Sequence, residues 1–241
     1  MRQDRFFVNF EIQKGKIDIS DREIFHQIKN VLRKRVGEKV ILFDGKKEGT
    51  AEIEKFLKEK IRIKILEVKK NQREPEIFVS LYCSILKKSN FEFVVQKATE
   101  IGAKEIVPII CKNTVKLGLK FERLKKIAKE AAEQSGRVSL PKIEKILDFK
   151  KAILRAKDSD LKILFDISGK DCFKIKIKPL KKVSIFIGSE GGWEKSEIEF
   201  AKKENFKILN LGKLNLRSET AAIVASFWAT NLIKKIENQC K

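Results

Sequence analysis

Residues 186–225 read FIGSEGGWEKSEIEFAKKENFKILNLGKLNLRSETAAIVA, and this stretch decides the fold class. Two apolar, strand-like runs, 183–187 and 208–211, each pass directly into a glycine turn. The first turn is Gly188-Ser189-Glu190-Gly191-Gly192 and the second begins at Gly212. A helical pattern over 195–205 separates the runs, so the unit is strand, helix, strand, the repeat of an open α/β sheet. In such sheets ligands gather outside the carboxyl ends of the strands, where glycine lets backbone amides approach a bound molecule closely. The two turns therefore mark the expected site, and Arg217-Ser218-Glu219-Thr220 opens an apolar helix soon after the second.

Neither turn is a familiar phosphate cradle. Gly188, Gly191 and Gly192 lack the G-x-G-x-x-G spacing, and Gly212-Lys213 is followed by Leu214 rather than Ser or Thr, so a Walker A loop is excluded as well. No G-x-S-x-G elbow precedes a helix, and the single histidine, His26, lies far from these turns in sequence, which removes a Ser-His-Asp triad. Cys83, Cys111, Cys172 and Cys240 are widely spaced with no C-x-x-C pair, so no metal site is expected and reduced structural thiols are.

Charge points to the partner. Lys plus Arg number 54 against 33 Asp plus Glu, a net +21 spread along the whole chain of 241 residues, and a dispersed excess of this kind favours a polyanion, nucleic acid first. Adaptation to high temperature enriches Lys too, but it raises Glu alongside, whereas the excess here is one-sided. No apolar run approaches the ~20 residues needed to cross a bilayer, and the polar start MRQDRFFVNF has no signal-peptide core, so a cytoplasmic location without membrane contact is expected.

The period changes along the chain. Before residue 70 the pattern is of short strands, at 5–10, 39–43, 51–56 and 61–68, with Asp44-Gly45 as turn chemistry, and this reads as a small β-barrel. Within 61–65 isoleucine alternates with Arg62 and Lys64, so one face enters a core and the other displays cations. Ile24, Ile28 and Val31 are spaced for one helical face, next to Arg33, Lys34 and Arg35, a candidate RNA grip. A polar break at 69–75 ending in Pro75 reads as a linker. Beyond it, strands at 77–83, 105–110, 161–166, 183–187 and 208–211 alternate with helices near 90–101, 121–135 and 195–205. The last helix, from about 218 to 236, carries Ile223, Val224, Phe227, Trp228, Leu232 and Ile233, too much apolar surface for one narrow stripe, and reads as a core or dimer helix.

The segment 186–225 resembles the cofactor-binding end of the SPOUT methyltransferases, and within them the RsmE type, which methylates uracil N3 in small-subunit (16S) ribosomal RNA. The family pattern is close to I-G-P-E-G-G-F-S-x-x-E-I followed by L-G-P-R-I-L-R-T-E-T-A. This chain matches it at Ile187, Gly188, Glu190, Gly191, Gly192, Glu197 and Ile198, then at Leu211, Gly212, Leu216, Arg217, Glu219, Thr220 and Ala221. It departs at Ser189, Glu194, Lys213, Leu214, Asn215 and Ser218. Residues 26–45, HQIKNVLRKRVGEKVILFDG, and 91–137, which contain VVQKATEIGAKEIVPII and EAAEQSGR, extend the likeness over nearly the whole chain. Gln27 stands where the family usually has a second His, and Asn113-Thr114 where it has Arg-Ser, departures that read as losses of RNA-binding groups.

The resemblance implies a PUA-like β-barrel over residues 1–70, an α/β SPOUT domain with a trefoil knot over 75–241, a homodimer, and S-adenosyl-L-methionine as cofactor. It places the cofactor at Ile187, Gly188, Glu190, Gly191, Leu211, Gly212, Leu216 and Arg217. For the chemistry, neutral uracil N3 is a poor nucleophile, so a group must take its proton or stabilise the charge left behind. Glu190 and Glu219 are the candidate bases and Arg217 the candidate stabiliser of an enolate oxygen. The alternative stays open that Glu219 only favours the amino end of the last helix and that Arg217 pairs with it. Candidate RNA contacts are His26, Arg33, Arg35, Arg62, Lys64, Gln134 and Arg137, with 16S ribosomal RNA or the small subunit as partner. The competing readings are a SPOUT ribose 2′-O-methyltransferase and a ribosome-assembly RNA binder without catalysis.

Overall fold

The computed structural model describes residues 3–70, 73–115, 118–177 and 179–232. Ile233, residue 236 and Cys240, included in the sequence expectations, lie outside the described residues. The chain divides into two units, residues 1–74 with 132–140, and residues 75–131 with 141–241.

The first unit is a five-stranded sheet, β1 Arg5–Phe7, β2 Gly15–Ile19, β3 Lys39–Phe43, β4 Lys47–Phe56 and β5 Ile61–Lys70, in the order β1-β3-β4-β5-β2. All its pairings are antiparallel except β1 with β3. The alternation expected in β5 is present: Ile61, Ile63 and Ile65 are buried while Arg62 and Lys64 are exposed. Those isoleucines pack with Val40, Leu42 and Ile53 and with Ile24 and Ile28.

Helix α1, Arg22–His26, is capped by Asp21, whose carboxylate accepts from the amides of Glu23 and Ile24. The chain then widens into a π-turn over Gln27–Val31, with Leu32 N donating to Gln27 O at 2.9 Å. The wider turn takes Val31 off the face shared by Ile24 and Ile28, so Val31 is 62% exposed rather than the third core position that its spacing suggests.

Residues 132–140 belong to this unit although the sequence places them well inside the second half. Ala132 and Val138 pack on Phe43. Arg5 lies over the Phe43 ring at 5.3 Å, donates to Arg137 O at 3.0 Å and pairs with Glu48 at 2.9 Å.

The second unit is a parallel sheet of β6 Phe78–Ser84, β7 Glu105–Ile110, β8 Lys142–Ile143, β10 Leu161–Asp171, β11 Lys182–Ile187 and β12 Lys207–Asn210, ordered β12-β10-β11-β6-β7-β8, with β9 Leu147–Asp148 also on β7. Every pairing among these strands is parallel. A parallel sheet needs a crossover between neighbours, which puts helices on its faces and apolar residues on both sides of each strand.

The side chains sort accordingly. Ile163, Phe165, Ile185 and Ile187 face a core shared with α2 Lys88–Ile101, α3 Phe121–Ser135 and α6 Ser218–Thr230. Leu164 and Phe186, one residue out of step, face a second core with α4 Phe149–Arg155 and α5 Lys195–Lys203. At the far end of β10 the register against β12 shifts between Phe165 and Lys170. There Gly169 runs so close to Leu209 that an added Cβ would lie 2.5 Å from its backbone, and Asn210 Nδ2 donates to Gly169 O at 2.6 Å.

Candidate active site

The carboxyl ends of β10, β11 and β12 lie side by side, and the segments that leave them enclose a cavity of about 820 Å³. That volume is within the range of small-molecule and cofactor sites. Every residue proposed from sequence for the cofactor lines it: Ile187, Gly188, Glu190, Gly191, Leu211, Gly212, Leu216 and Arg217, with Glu219 beside them. The sheet order explains the convergence. The chain leaves β11, crosses by α5 to β12 on the far side of β10, and so returns the second glycine turn toward the first.

The local chemistry follows from the sequence. Glu197 is 6% exposed because it closes a capping box at the start of α5, accepting from Glu194 N at 2.9 Å. Trp193 closes the floor, its Nε1 donating to Phe165 O at 2.9 Å and its ring lying 3.1 Å from a Cβ placed on Gly188. Gly212 sits at φ +125°, in the region that favours glycine, which lets the second turn double back at the rim. Arg217 occupies the N-cap of α6 in extended conformation and is exposed; Glu219 is in the first turn of that helix and half-buried. Glu219 therefore has both positions left open by the sequence, favouring the helix terminus and lining the cavity.

Several lining residues were not singled out in the sequence: Lys87, Asn90, Asp166, Trp193 and Asn210. Trp193 carried a signal, since it follows Gly192 at an aromatic position of the motif; Asp166 is placed by the register shift within β10 and Lys87 by the segment that follows β6. Cys83, at the end of β6, is fully buried, and burial pushes its thiol well above the usual range, as do the neighbouring Cys111, Glu190 and Glu219. It is an inert packing thiol. Among the described residues no group of three His, Cys, Asp or Glu side chains is placed to hold a metal, and no helix is long and apolar enough to cross a membrane.

The proposed RNA residues are placed unevenly. His26, Arg33 and Arg35 are exposed, and His26 Nδ1 meets Asn30 Nδ2 at 2.9 Å. Arg62 is exposed but paired with Asp18 at 2.7 Å; Lys64 and Gln134 are exposed. Arg137 departs from expectation. It is 5% exposed, with its guanidinium on Glu74 at 3.1 Å and on Ser139 Oγ at 3.1 Å, and Glu74 also accepts the amides of Val138 and Ser139. Its guanidinium, with the amides of Val138 and Ser139, ties this segment to Glu74.

Residues 73–229 match the RNA methyltransferase domain family, and residues 19–66 match the RNA methyltransferase PUA domain family. Ribosomal RNA small subunit methyltransferase E of Bacillus subtilis is 32% identical, over 92% of this chain and 93% of its own. The chain belongs to the ribosomal RNA small subunit methyltransferase E family. The member from Mesomycoplasma hyopneumoniae is 38% identical over 72% of this chain and 77% of its own. Among solved structures, the family member from Neisseria gonorrhoeae, bound to S-adenosyl methionine, superposes with a TM-score of 0.88 at 29% identity, covering 96% of this chain and 98% of that one. The architecture is accordingly a PUA-like N-terminal domain followed by an α/β domain with a parallel sheet.

Proposed function

We propose that this chain methylates N3 of a uridine in the 16S ribosomal RNA of the small subunit, with S-adenosyl-L-methionine as methyl donor. The observation that carries the reading is the cavity shared by both glycine turns in a chain of this family. The residues present suit the cofactor. Ile187, Leu211, Leu216 and Trp193 supply apolar walls for an adenine, and the glycine turns supply approachable amides. Asp166, Glu190 and Glu219 supply negative charge for a cationic ligand without a phosphate.

When bound, S-adenosylmethionine supplies an electrophilic methyl group on a sulfonium. The protein's part is alignment and charge. Glu190, Glu219 and Arg217 all line the cavity, which supports reading Glu190 or Glu219 as the group that takes the N3 proton and Arg217, at the N-cap of α6, as the group that stabilises negative charge on the uracil oxygen. The N-terminal unit serves as the RNA-binding module, with Arg33, Arg35 and Lys64 as exposed cations and His26 also exposed, while residues 75–131 and 141–241 form the methyltransferase domain.

The same reading extends to a closed barrel in the first unit, a trefoil knot around the close crossing of Gly169 and Leu209, a cytoplasmic location and a homodimer, for which Phe227 on α6, 61% exposed, is apolar surface available to a second copy. Purified protein, S-adenosylmethionine and small subunits lacking the modification are expected to yield 3-methyluridine on nucleoside mass spectrometry. A ribose-methylated product, or no product, would overturn the assignment.

A further inference from the structure

The turn after β7, residues 111–114, is joined to the 188–192 loop from several directions. Asn113 Nδ2 donates to Gly191 O at 3.0 Å and reaches Gly192 O at 3.4 Å. Ser189 Oγ donates to Asn113 O at 2.8 Å, so the same residue both gives and receives. A Cβ on Gly191 would lie 2.9 Å from Asn113 Cβ, which shows how closely the two segments are packed. Next to it, Lys112 N donates to Glu197 Oε1 at 3.0 Å, linking the turn to the first turn of α5.

The turn is itself held to the sheet. Thr114 Oγ1 accepts from Cys111 N at 2.9 Å and lies 2.7 Å from Ser84 Oγ, at the end of β6. A chain of bonds thus runs from β6 through Thr114 and Asn113 to the glycine loop that lines the cavity. A glycine-rich loop loses more conformational freedom on ordering than any other, and whatever is ordered before a ligand arrives need not be ordered by it.

We propose that Asn113 is a positioning residue that holds the 188–192 loop in its ligand-receiving conformation and so preorganises the cavity. The proposal rests on the cavity being the S-adenosylmethionine site. Two substitutions separate a bonded clamp from simple packing. Asn113→Ala removes the donor, whereas Asn113→Asp keeps the shape but turns an acceptor toward two carbonyl oxygens.

Calorimetry with S-adenosylmethionine is expected to give a Kd raised roughly five- to tenfold for Asn113→Ala, and more for Asn113→Asp. Ser189→Ala, which breaks the other leg, should weaken binding by a smaller factor. At saturating cofactor the turnover of all three should change by less than about threefold, so that KM rises and kcat does not fall with it. Hydrogen exchange of the ligand-free proteins gives a second readout: the Gly192 amide, bonded to Ser189 O at 2.9 Å, should exchange faster in both Asn113 variants. An Asn113→Asp protein that binds as well as Asn113→Ala, or unchanged exchange at Gly192, would overturn the clamp. A parent protein that does not bind S-adenosylmethionine, with exchange at Gly192 still accelerated in the variants, would instead overturn the cavity assignment and with it the positioning role.

Discussion

Gly212→Ala tests the second glycine turn through its backbone. Gly212 has φ +125°, and a Cβ built on it meets nothing within 4 Å. The added methyl therefore fills no occupied space, and its effect comes from a conformation that L residues rarely adopt, at a cost of about 1–3 kcal/mol. The turn is tied at its base, where Gly212 N donates to Asn210 Oδ1 at 3.1 Å, so relief requires the rim to move. Folding stabilities of about 5–15 kcal/mol absorb such a loss, with the melting temperature falling by roughly 2–4 °C per kcal/mol.

If the turn relaxes to release that strain, binding must restore it, and the Kd for S-adenosylmethionine should rise about 5- to 150-fold. Gly15→Ala is the control. Gly15 has φ +133° and also nothing within 4 Å of an added Cβ, but it starts β2 in the other unit. It should lower the melting temperature similarly and leave cofactor affinity alone. Calorimetry and thermal circular dichroism on the parent and both variants decide the matter. Because strain kept in the free protein lowers the melting temperature and strain released there weakens binding, a Gly212→Ala protein with parental affinity and parental melting temperature, or a loss of affinity in Gly15→Ala, would refute the reasoning.

Arg217→Ala should slow single turnover by ~100- to 1,000-fold while changing cofactor affinity little, because a donor aimed at developing charge acts in the transition state; a normal single-turnover rate would remove Arg217 from the chemistry. Neutralising Arg33 and Arg35 should flatten the salt dependence of RNA binding by about 0.7–0.9 log units for each phosphate no longer neutralised. Arg62→Ala should do less, because Asp18 already holds that guanidinium at 2.7 Å; filter binding across a salt series distinguishes them. In the second unit burial pushes the Glu105 carboxyl up, but hydrogen bonds from Arg155 and Ser80 and the guanidinium charge outweigh it and hold the group below the usual range. A lowered folded-state value means that this stability is present above the ordinary Glu range and is lost as pH falls through the folded value. Arg155→Met should therefore destabilise by about 1–3 kcal/mol near neutrality and by less in acid; a pH-independent difference in denaturant midpoint would contradict this.

The features legible in the sequence are those that a short segment sets by itself. Alternating isoleucines fixed the inward face of β5, apolar runs marked β7 and β11 as strands, and glycine at the end of β11 and before α6 located the cavity. These are periodicity and steric signals, and each needs only its near neighbours. Short elements carried too little of either: β2 and α4 were not anticipated, although Asp148 caps α4 by accepting from Lys151 N at 3.0 Å.

Other features depend on which distant residues meet. Arg137 reads as a free basic residue until Glu74, 63 positions away, meets it and buries it. Asn113 reads as a missing arginine until Gly191, 78 positions on, comes within 3.0 Å. The wider π-turn that exposes Val31 and the close passage of Gly169 past Leu209 are likewise absent from local pattern. Local sequence sets propensity and the inward face, because those depend on φ, ψ and side-chain period. Which polar group ends up buried, and against which partner, is decided only by tertiary structure, since desolvation and pairing are properties of both residues at once.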